Sequence, residues 1–265
     1  MLKRSWQEVL IAESNPNHIW ELFHENSKTS RIEPHPPDEF VAARMREQYD
    51  SLPYDAMPEV TLPEEIAPMY LTLADAMVSR TSCREMRPAP MTLAELGTML
   101  YCAYGVNRSN EDSAFPRPFR TVPSGGGLYP LEIYFHTAAV EGLTAGLYHY
   151  NALRHRVYRL RDGDFSFDIS NGLIQRNLAV DASVLFFLTA IFERSVFKYG
   201  DRGYRFVFME AGHVAQNLNL AAAGLGFGAL NIGGFVDRTI DEFLAVDGVT
   251  HSTVYMVAAG KPAGD

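Results

Sequence analysis

Apolar and polar positions alternate most clearly over Leu131–His136, directly after a run of three glycines. A period of two is typical of a β-strand with one buried face, so the pattern predicts a half-buried strand there. The same alternation at 146–150 and 155–160 predicts two strands paired through a short connection. Two mostly apolar runs, Ser183–Ile191 and Ser252–Ala259, predict further strands.

Helical spacing is clearest between Val207 and Ala223, where apolar residues recur every three or four positions along one stripe. Thr92 lies three residues before Glu95, the spacing of a capping box, which predicts a helix running through Tyr101. Helices and strands are mixed along the chain without regular βαβ alternation. The patterning therefore predicts an α+β fold.

The N-terminal quarter of the chain has a different character. Residues 1–30 show helical patterning, and residues 31–68 are rich in proline and acidic side chains. Proline removes a backbone donor and clashes with the preceding helical turn, so 31–68 cannot form one long helix. We predict an N-terminal helical and proline-rich arm over 1–68 that wraps a core or a partner, followed by one domain over 69–265.

Composition narrows the class of protein. The 265 residues are 47% hydrophobic, as expected of a globular chain, and 32 acidic side chains outweigh 23 basic ones to give a net charge of -9. This balance argues against a general nucleic-acid binder but leaves room for a local basic pocket. The two cysteines and the lack of a recognisable targeting segment favour the cytoplasm. Leu218–Val236 is uncharged, but five glycines and two asparagines interrupt it, which argues against a membrane span.

The three glycines at Gly125–Gly127 need an explanation, because glycine loses more backbone freedom on folding than any other residue. One interpretation is a flexible hairpin loop. The other is a backbone surface against which a ligand lies. The stretch lacks the Gly-Lys-Ser/Thr ending of a P-loop and the spacing of a dinucleotide fingerprint, which argues against a nucleotide triphosphatase.

Two Glu-x-x-His pairs, Glu21 with His24 and Glu210 with His213, have the spacing that helices of di-iron bundles use. The strand and glycine content of the chain does not suit a four-helix bundle. We therefore predict no metal site, and interpret His213 as a hydrogen-bonded helix histidine.

Three segments carry side chains suited to other chemistry. Arginine forks and hydroxyl groups between Arg80 and Arg84 could bind a phosphate, and Lys261 after the last strand could add a second contact. Lys198 and Tyr199 adjoin at a glycine-bounded turn, where burial or neighbouring cations could tune a proton acceptor. Taken singly, the phosphate candidates are weak signals and the Lys198–Tyr199 turn is better interpreted as an exposed polar turn, because most charged side chains are solvated at a surface.

Together these segments resemble the FMN-dependent nitroreductase superfamily. Within it the chain is similar to the thiazole/oxazole (azoline) oxidases, also called SagB-type dehydrogenases. The resemblance extends over roughly residues 70–262, with a weaker likeness at Phe23–Lys28. It implies a nitroreductase-like fold in which a central, mainly antiparallel sheet is flanked by helices, and an intertwined homodimer with FMN at the subunit interface.

The resemblance also implies which residues hold FMN. Its phosphate contacts correspond to Arg80, Ser82, Arg84 and Lys261. The segment that reaches the flavin from the other subunit corresponds to Pro123, Ser124, Gly125, Gly126, Gly127 and Leu128, and the backbone facing the N5 edge of the ring to Asn231, Gly233 and Gly234. One departure is Thr81, where many relatives carry an arginine before the serine, so the phosphate contacts there can differ.

The subfamily-level mark is Lys198-Tyr199-Gly200, followed by the pattern from Arg202 to Leu218. It implies that Lys198 or Tyr199 removes a ring proton from a thiazoline or oxazoline while hydride passes to FMN N5, with dioxygen reoxidising the flavin. A peptide or carrier-bound substrate and a cyclodehydratase partner are expected. Two alternatives stay open: an NAD(P)H-dependent reductase of nitro, quinone or enone compounds, and a non-catalytic flavin-binding scaffold of a peptide-modifying complex.

Overall fold

A computed structural model describes residues 19–30, 35–110 and 117–264 of the chain. Of the predicted helical segment over 1–30, the part before Ile19 lies outside the described residues. The helices are α1 (Ile19–Asn26), α2 (Asp38–Glu47), α3 (Leu73–Ser79), α4 (Leu93–Tyr104), α5 (Ser166–Ser170), α6 (Leu178–Asp181), α7 (Glu193–Tyr199), α8 (Asp201–Gly224) and α9 (Asp237–Leu244). The strands are β1 (Glu59–Thr61), β2 (Met86–Arg87), β3 (Val106–Arg108), β4 (Phe119–Arg120), β5 (Leu131–Thr137), β6 (Gly146–Asn151), β7 (Arg156–Asp162), β8 (Val184–Ile191), β9 (Gly228–Ile232) and β10 (His251–Pro262).

Eight of these strands form the central sheet. Seven follow the order β1-β7-β6-β5-β8-β10-β2, and the eighth, β9, pairs with β10 off this path. Each of its strand pairs is antiparallel. β3 and β4 form a separate two-stranded sheet. The prediction of an α+β fold with a mainly antiparallel sheet flanked by helices is confirmed.

Helices cover both faces of the sheet, and the period of two in the central strands decides which side chain meets which layer. Leu131, Ile133 and Phe135 of β5 pack in one apolar cluster with α4 and α8. Tyr134 points the other way, into a second cluster that includes residues of α5, α6 and α9. The prediction that this strand is half-buried is therefore wrong: all of β5 is buried, because its polar residues have buried partners on the second face.

Local sequence signals account for the ends of several elements. Thr92 caps α4 with a complete capping box, in which its side chain accepts from the Glu95 backbone and Glu95 returns the contact. The predicted helix over 207–223 lies inside α8, and the predicted strand pair appears as β6 and β7. The predicted strand over Ser252–Ala259 appears as β10. The observed strand is longer than the apolar run, since it begins at His251 and continues to Pro262.

The proline-rich arm lies against the rest of the chain. Its strand β1 pairs with β7 at the edge of the central sheet. Val41 and Met45 of α2 form a small buried cluster with Leu128, next to the glycines, and Tyr199 packs against that cluster. Arg117 fixes this arrangement by donating to the backbone carbonyls of Met45 and Leu128, at 3.0 and 2.9 Å.

No helix within the described ranges combines the length and the apolar character needed to cross a bilayer.

Candidate functional site

The glycine stretch is a hydrogen-bonded turn. Gly125–Gly127 form one turn of 3₁₀ helix, in which Gly126 and Gly127 have φ angles of 68° and 65° that favour glycine. The Ser124 hydroxyl oxygen accepts from the Tyr129 backbone N–H at 2.9 Å and closes the turn. The interpretation of a flexible hairpin loop does not describe this geometry.

Lys198 and Tyr199, the predicted catalytic pair, lie directly against this turn. Both are half-buried at the end of α7. A Cβ atom added to Gly126 would lie 2.5 Å from the Tyr199 hydroxyl and 3.0 Å from Lys198 Nζ, closer than packed side chains come. Only a residue without a side chain allows this approach. The fold thus brings together two segments that the sequence suggested separately.

A cavity of about 250 Å³ opens beside the pair. One side is formed by residues 26–29 and His35, and the other by residues 198–202. Arg202 and Arg205 hold the N-terminal segment in place by donating to the backbone carbonyls of Ser27 and His24, at 3.3 and 2.6 Å. The weakly predicted motif at 23–28 is therefore part of the wall around Lys198 and Tyr199.

The candidate phosphate contacts gather at one end of the sheet. Ser82 forms a bridge with Ala229 of β9, which extends the edge of the sheet into the segment carrying Arg80 and Arg84. Ala229 pairs with Ala259 of β10, so Lys261 lies two residues further along the neighbouring strand. Lys261 Nζ donates to the Gly226 carbonyl at 2.6 Å. The backbone of Ser82 and that of Lys261 thus lie at the same end of the sheet, and Arg80 and Arg84 are two residues before and after Ser82.

The remaining candidate residues follow the same edge. Asn231 is exposed on β9, and its side-chain oxygen accepts from Asn219 at 2.6 Å. Gly233 and Gly234 continue from β9, and the Gly234 carbonyl accepts from the backbone of Ile174 at 3.2 Å. Strand geometry places Gly234 roughly 16 Å along the edge from Ala229. The basic end and the second pair of glycines therefore line one continuous edge.

The glycine stretch lies at the opposite end of the sheet from the basic cluster. β5 begins at Leu131, which pairs with Ala190, and Ala190 pairs in turn with Ser252 at the start of β10. Lys261 is at the far end of β10, roughly 30 Å from Ser252 at the rise of a β-strand. The basic cluster and Gly125–Gly127 of one chain therefore lie towards opposite ends of the sheet.

A buried polar cluster beneath the turn was not predicted from the sequence as a unit. Tyr104 donates from its hydroxyl group to the Glu210 carboxylate at 2.6 Å. The Ser124 hydroxyl group lies close enough to Glu210 to lower the pKa of that carboxyl group. The Arg120 guanidinium lies 4.1 Å from the Tyr104 ring centroid. Burial raises the pKa of Glu210 to about 7, against the lowering effect of Ser124, Tyr104 and Arg120.

The sequence held one signal of this cluster: Glu210 is three residues after Val207 and four before Val214, on the buried stripe of α8. Glu210 is buried, whereas His213 is exposed. The two residues of that Glu-x-x-His pair therefore do not face a common centre. Within the described residues no hydrogen bond to His213 is seen, so its interpretation as a hydrogen-bonded helix histidine is without support there.

A second buried cluster anchors the start of α7. Glu132 of β5 pairs with Arg194 and with His149, each at 2.7 Å, and all three side chains are at most 3% exposed. Burial alone would raise the pKa of Glu132, but the Arg194 guanidinium and the His149 hydrogen bond lower it to about 2. Arg194 is one helical turn before Lys198, so this ion pair fixes the helix that presents Lys198 and Tyr199.

Comparison with known proteins gives a consistent picture. A family model described as the Nitroreductase family matches residues 77–261. A protein of Methanocaldococcus jannaschii, provisionally named nitroreductase MJ1384, is 39% identical over 190 residues, which are 71% of this chain and 90% of that protein.

Two further relatives are named for the processing of trifolitoxin and of microcin B17. The trifolitoxin-processing protein TfxB of Rhizobium leguminosarum is 29% identical over 62% of this chain and 46% of its own length. The microcin B17-processing protein McbC of Escherichia coli is 30% identical over 48% of this chain and 49% of its own length. The matched regions span about half of each of these two relatives.

Solved structures share the fold. A provisionally named nitroreductase from Anabaena variabilis gives a TM-score of 0.70 at 25% identity, covering 91% of this chain and 47% of that one. A chain of the E. coli microcin synthetase McbBCD complex gives a TM-score of 0.57 at 18% identity, covering 97% of this chain and 98% of that one. The predicted nitroreductase-like fold is confirmed.

Proposed function

The chain belongs to the nitroreductase family, and on this basis we propose that it is an FMN-dependent oxidoreductase that oxidises a peptide-borne thiazoline or oxazoline to the azole. The observation that carries the proposal is the contact of Lys198 and Tyr199 with Gly126, beside a cavity of about 250 Å³. It provides proton-accepting groups, bare backbone and space for a small ring in one place.

The side chains at the edge of the sheet fit FMN. Arg80, Ser82, Arg84 and Lys261 are the donor types that bind phosphate oxygens, and Gly233 with Gly234 offers backbone that a planar ring can approach closely. When bound, FMN supplies the acceptor for the two electrons that a dehydrogenation releases. Because the glycine stretch lies at the far end of the same sheet, we place it against the flavin of a second copy in a homodimer.

Lys198 and Tyr199 are the proposed proton acceptors. A lysine amine or a tyrosine phenolate can take a proton from carbon when its pKa is tuned to the task. The Arg194–Glu132 ion pair fixes α7, and the packing of Tyr199 against the Val41, Met45 and Leu128 cluster limits its motion. Positioned groups of this kind lower a barrier by removing the need to find the right geometry.

The names of two relatives support a peptide substrate. TfxB is named for trifolitoxin processing and McbC for microcin B17 processing. By analogy we propose that this chain acts on a modified peptide or a carrier-bound substrate, together with a partner enzyme such as a cyclodehydratase. The wall formed by residues 26–29 and His35 is where a peptide flanking the ring would pass.

Substitution of the catalytic pair tests the proposal. Lys198→Ala and Tyr199→Phe should leave FMN bound, with an unchanged visible spectrum, but lower azoline oxidation by about 10²-fold or more. Tyr204→Phe is the matched control. It also removes a tyrosine hydroxyl group, but it keeps the aromatic ring that packs on Phe23 and Phe192. Undiminished oxidation by both variants would refute the role of the pair.

A second candidate function has one specific observation in its favour. MJ1384, the relative with 39% identity, carries the provisional name of a nitroreductase. The alternative is an NAD(P)H-dependent reductase of nitro, quinone or enone compounds that uses the same FMN site. The two candidates differ in which compound reduces the bound flavin.

A further inference from the structure

Arg117 is a buried arginine that takes no part in the proposed reaction. It is 7% exposed, and its guanidinium group forms an ion pair with the Asp50 carboxylate of the arm. A buried charge is unfavourable unless it is paired and hydrogen-bonded. The contacts that compensate Arg117 therefore indicate which parts of the chain it holds together.

The guanidinium group of Arg117 bridges two segments that are far apart in the sequence. One terminal nitrogen donates to the Leu128 carbonyl at 2.9 Å, directly after the glycine turn. The other donates to the Met45 carbonyl at 3.0 Å, in the last turn of α2. The arm thus contacts this side chain through Met45 and Asp50, and the glycine turn contacts it through Leu128.

The side chains of the two bridged residues form part of the surface on which Tyr199 packs. Met45 and Leu128 lie with Val41 in one small buried cluster, and Tyr199 packs against that cluster. The catalytic pair also approaches the turn at Gly126, two residues before Leu128. The bridge therefore joins two pieces of backbone that both carry contacts to the pair.

Arg120 makes a second connection between the same two segments. It is 6% exposed and donates to the Asp50 carbonyl at 2.9 Å, while its guanidinium group lies 5.0 Å from the Tyr129 ring centroid. Because this connection remains when Arg117 is replaced, loss of Arg117 should loosen the arm and the turn without detaching them.

We propose that Arg117 is a positioning residue that ties the arm to the glycine turn and so holds Lys198 and Tyr199 in the geometry that the reaction needs. The proline-rich arm is then part of the support of the catalytic pair in its own chain. A guanidinium group suits the bridge, because its nitrogens lie in one rigid plane and donate to separate acceptors, whereas lysine offers a single nitrogen. This role rests on the proposed function, but the bridge itself can be measured without a substrate.

Steady-state kinetics of the FMN-loaded full chain test the role through Arg117→Ala. The variant should lower kcat for an azoline peptide by about 10²-fold, because a displacement near 1 Å in a catalytic group has an effect of that size. KM should change far less, since the cavity beside the pair is lined by residues 26–29, His35 and 198–202. The control Arg46→Ala removes an exposed arginine of α2 and should leave both constants unchanged.

Added guanidinium ion separates the bridge from a general structural role. Arg117→Ala leaves space where a free guanidinium ion can donate to the Met45 and Leu128 carbonyls. Guanidinium chloride, at concentrations that do not unfold the wild type, should raise kcat of the variant by about tenfold, the factor that regained charge-assisted hydrogen bonds provide. Sodium chloride at equal concentration should not raise it.

Amide hydrogen exchange measures the bridge directly. In Arg117→Ala, peptides covering 38–48 and 124–131 should each lose about tenfold in protection, and guanidinium ion should restore it. A peptide covering 184–191, in the central strand β8, should keep its protection. Unchanged protection of the first two peptides, an equal loss in β8, or a folded variant that guanidinium ion does not rescue would overturn the proposal.

Arg117→Lys provides a second variant in case Arg117→Ala folds poorly, because it keeps a positive charge beside Asp50 and removes the two-nitrogen bridge. It should still lower kcat and the protection of the same two peptides by about tenfold. Wild-type values of both in this variant would equally overturn the proposal.

The outcomes separate the two claims. A chain that fails to oxidise azolines, but in which Arg117→Ala loosens the arm and the turn and guanidinium ion restores them, would refute the proposed function and leave the bridge standing. An active azoline oxidase whose kcat does not depend on Arg117 would refute the positioning role alone.

Discussion

At the residue scale, the contact between Gly126 and the Lys198–Tyr199 pair is the feature on which the proposed chemistry depends. The sequence singled out both segments, one for its glycines and one for its lysine and tyrosine. It could not show that they touch, because the contact joins positions more than seventy residues apart and depends on how α7 packs under the turn. Contacts of this kind come from tertiary structure and leave no local pattern.

Two neighbouring glycines make a matched test of this contact. Gly126 and Gly127 have nearly the same φ, so alanine strains the backbone similarly at both. At Gly126 the new Cβ would reach Tyr199 and Lys198, whereas at Gly127 the contact found among the described residues is Phe119 at 4.0 Å.

Gly126→Ala should therefore lower azoline oxidation by about 10²-fold relative to Gly127→Ala, because a displacement near 1 Å in a catalytic group has an effect of that size. Steady-state rates of the two purified variants, compared at equal FMN content, measure the difference. Equal rates would show that the contact does not matter for the reaction.

The sequence also does not predict which residues are the partners of buried polar side chains. The alternation over β5 predicted a half-buried strand because Glu132 and His136 read as solvent-facing positions. Both are buried, and Glu132 forms an ion pair with Arg194 and a hydrogen bond with His149, both from other elements. A single sequence shows the polar residue but not the partner that makes its burial possible.

At the element scale, β9 explains why separate segments could form one cofactor site. The strand pairs with β10 on one side, and Ser82 forms a bridge with Ala229 on its other side. Its edge runs from the basic residues to Gly233 and Gly234. The sequence predicted each of these residues through the family resemblance, while their alignment along one edge required the strand register.

Removal of one cation at this edge should weaken FMN binding. Lys261→Ala should raise the Kd for FMN by about 10- to 100-fold, since hydrogen bonds to charged groups contribute roughly 1.5–3 kcal/mol. Arg46→Ala removes an exposed charge from α2 and is the control. Titration of FMN-free protein, followed by flavin fluorescence, measures both, and an unchanged Kd for Lys261→Ala would remove this residue from the site.

At the scale of the whole molecule, the separation of the two ends of the sheet is the reason for proposing that two copies of the chain share one site. The basic cluster lies at the end of β10, and the glycine stretch with Lys198 and Tyr199 lies near its start, roughly 30 Å away along the strand. The α+β fold and the sheet type followed from the sequence patterning. The separation of the two halves of the site followed only from the strand order.

Mixing two inactive variants tests this arrangement. Lys198→Ala damages only the catalytic half of a shared site, and the double variant Arg80→Ala with Lys261→Ala damages only the phosphate half. A mixed dimer contains one site built from two undamaged halves, so a refolded equal mixture should regain about a quarter of wild-type activity by random pairing in a two-fold dimer.

A mixture of Lys198→Ala with Tyr199→Phe, which damages the same half twice, should regain no activity and is the control. Failure of the first mixture to regain activity, although mixed dimers form, would place the complete site within one chain.

The central claim is that this chain accepts electrons from an azoline, and anaerobic titration of the FMN-loaded protein tests it most directly. A synthetic thiazoline or oxazoline peptide should bleach the visible flavin absorbance with one azole formed per flavin, and admission of dioxygen should restore the colour. Bleaching by NAD(P)H and not by the azoline peptide would contradict the claim and establish the reductase instead. A chain that remains colourless after reconstitution with FMN would contradict both and favour a scaffold.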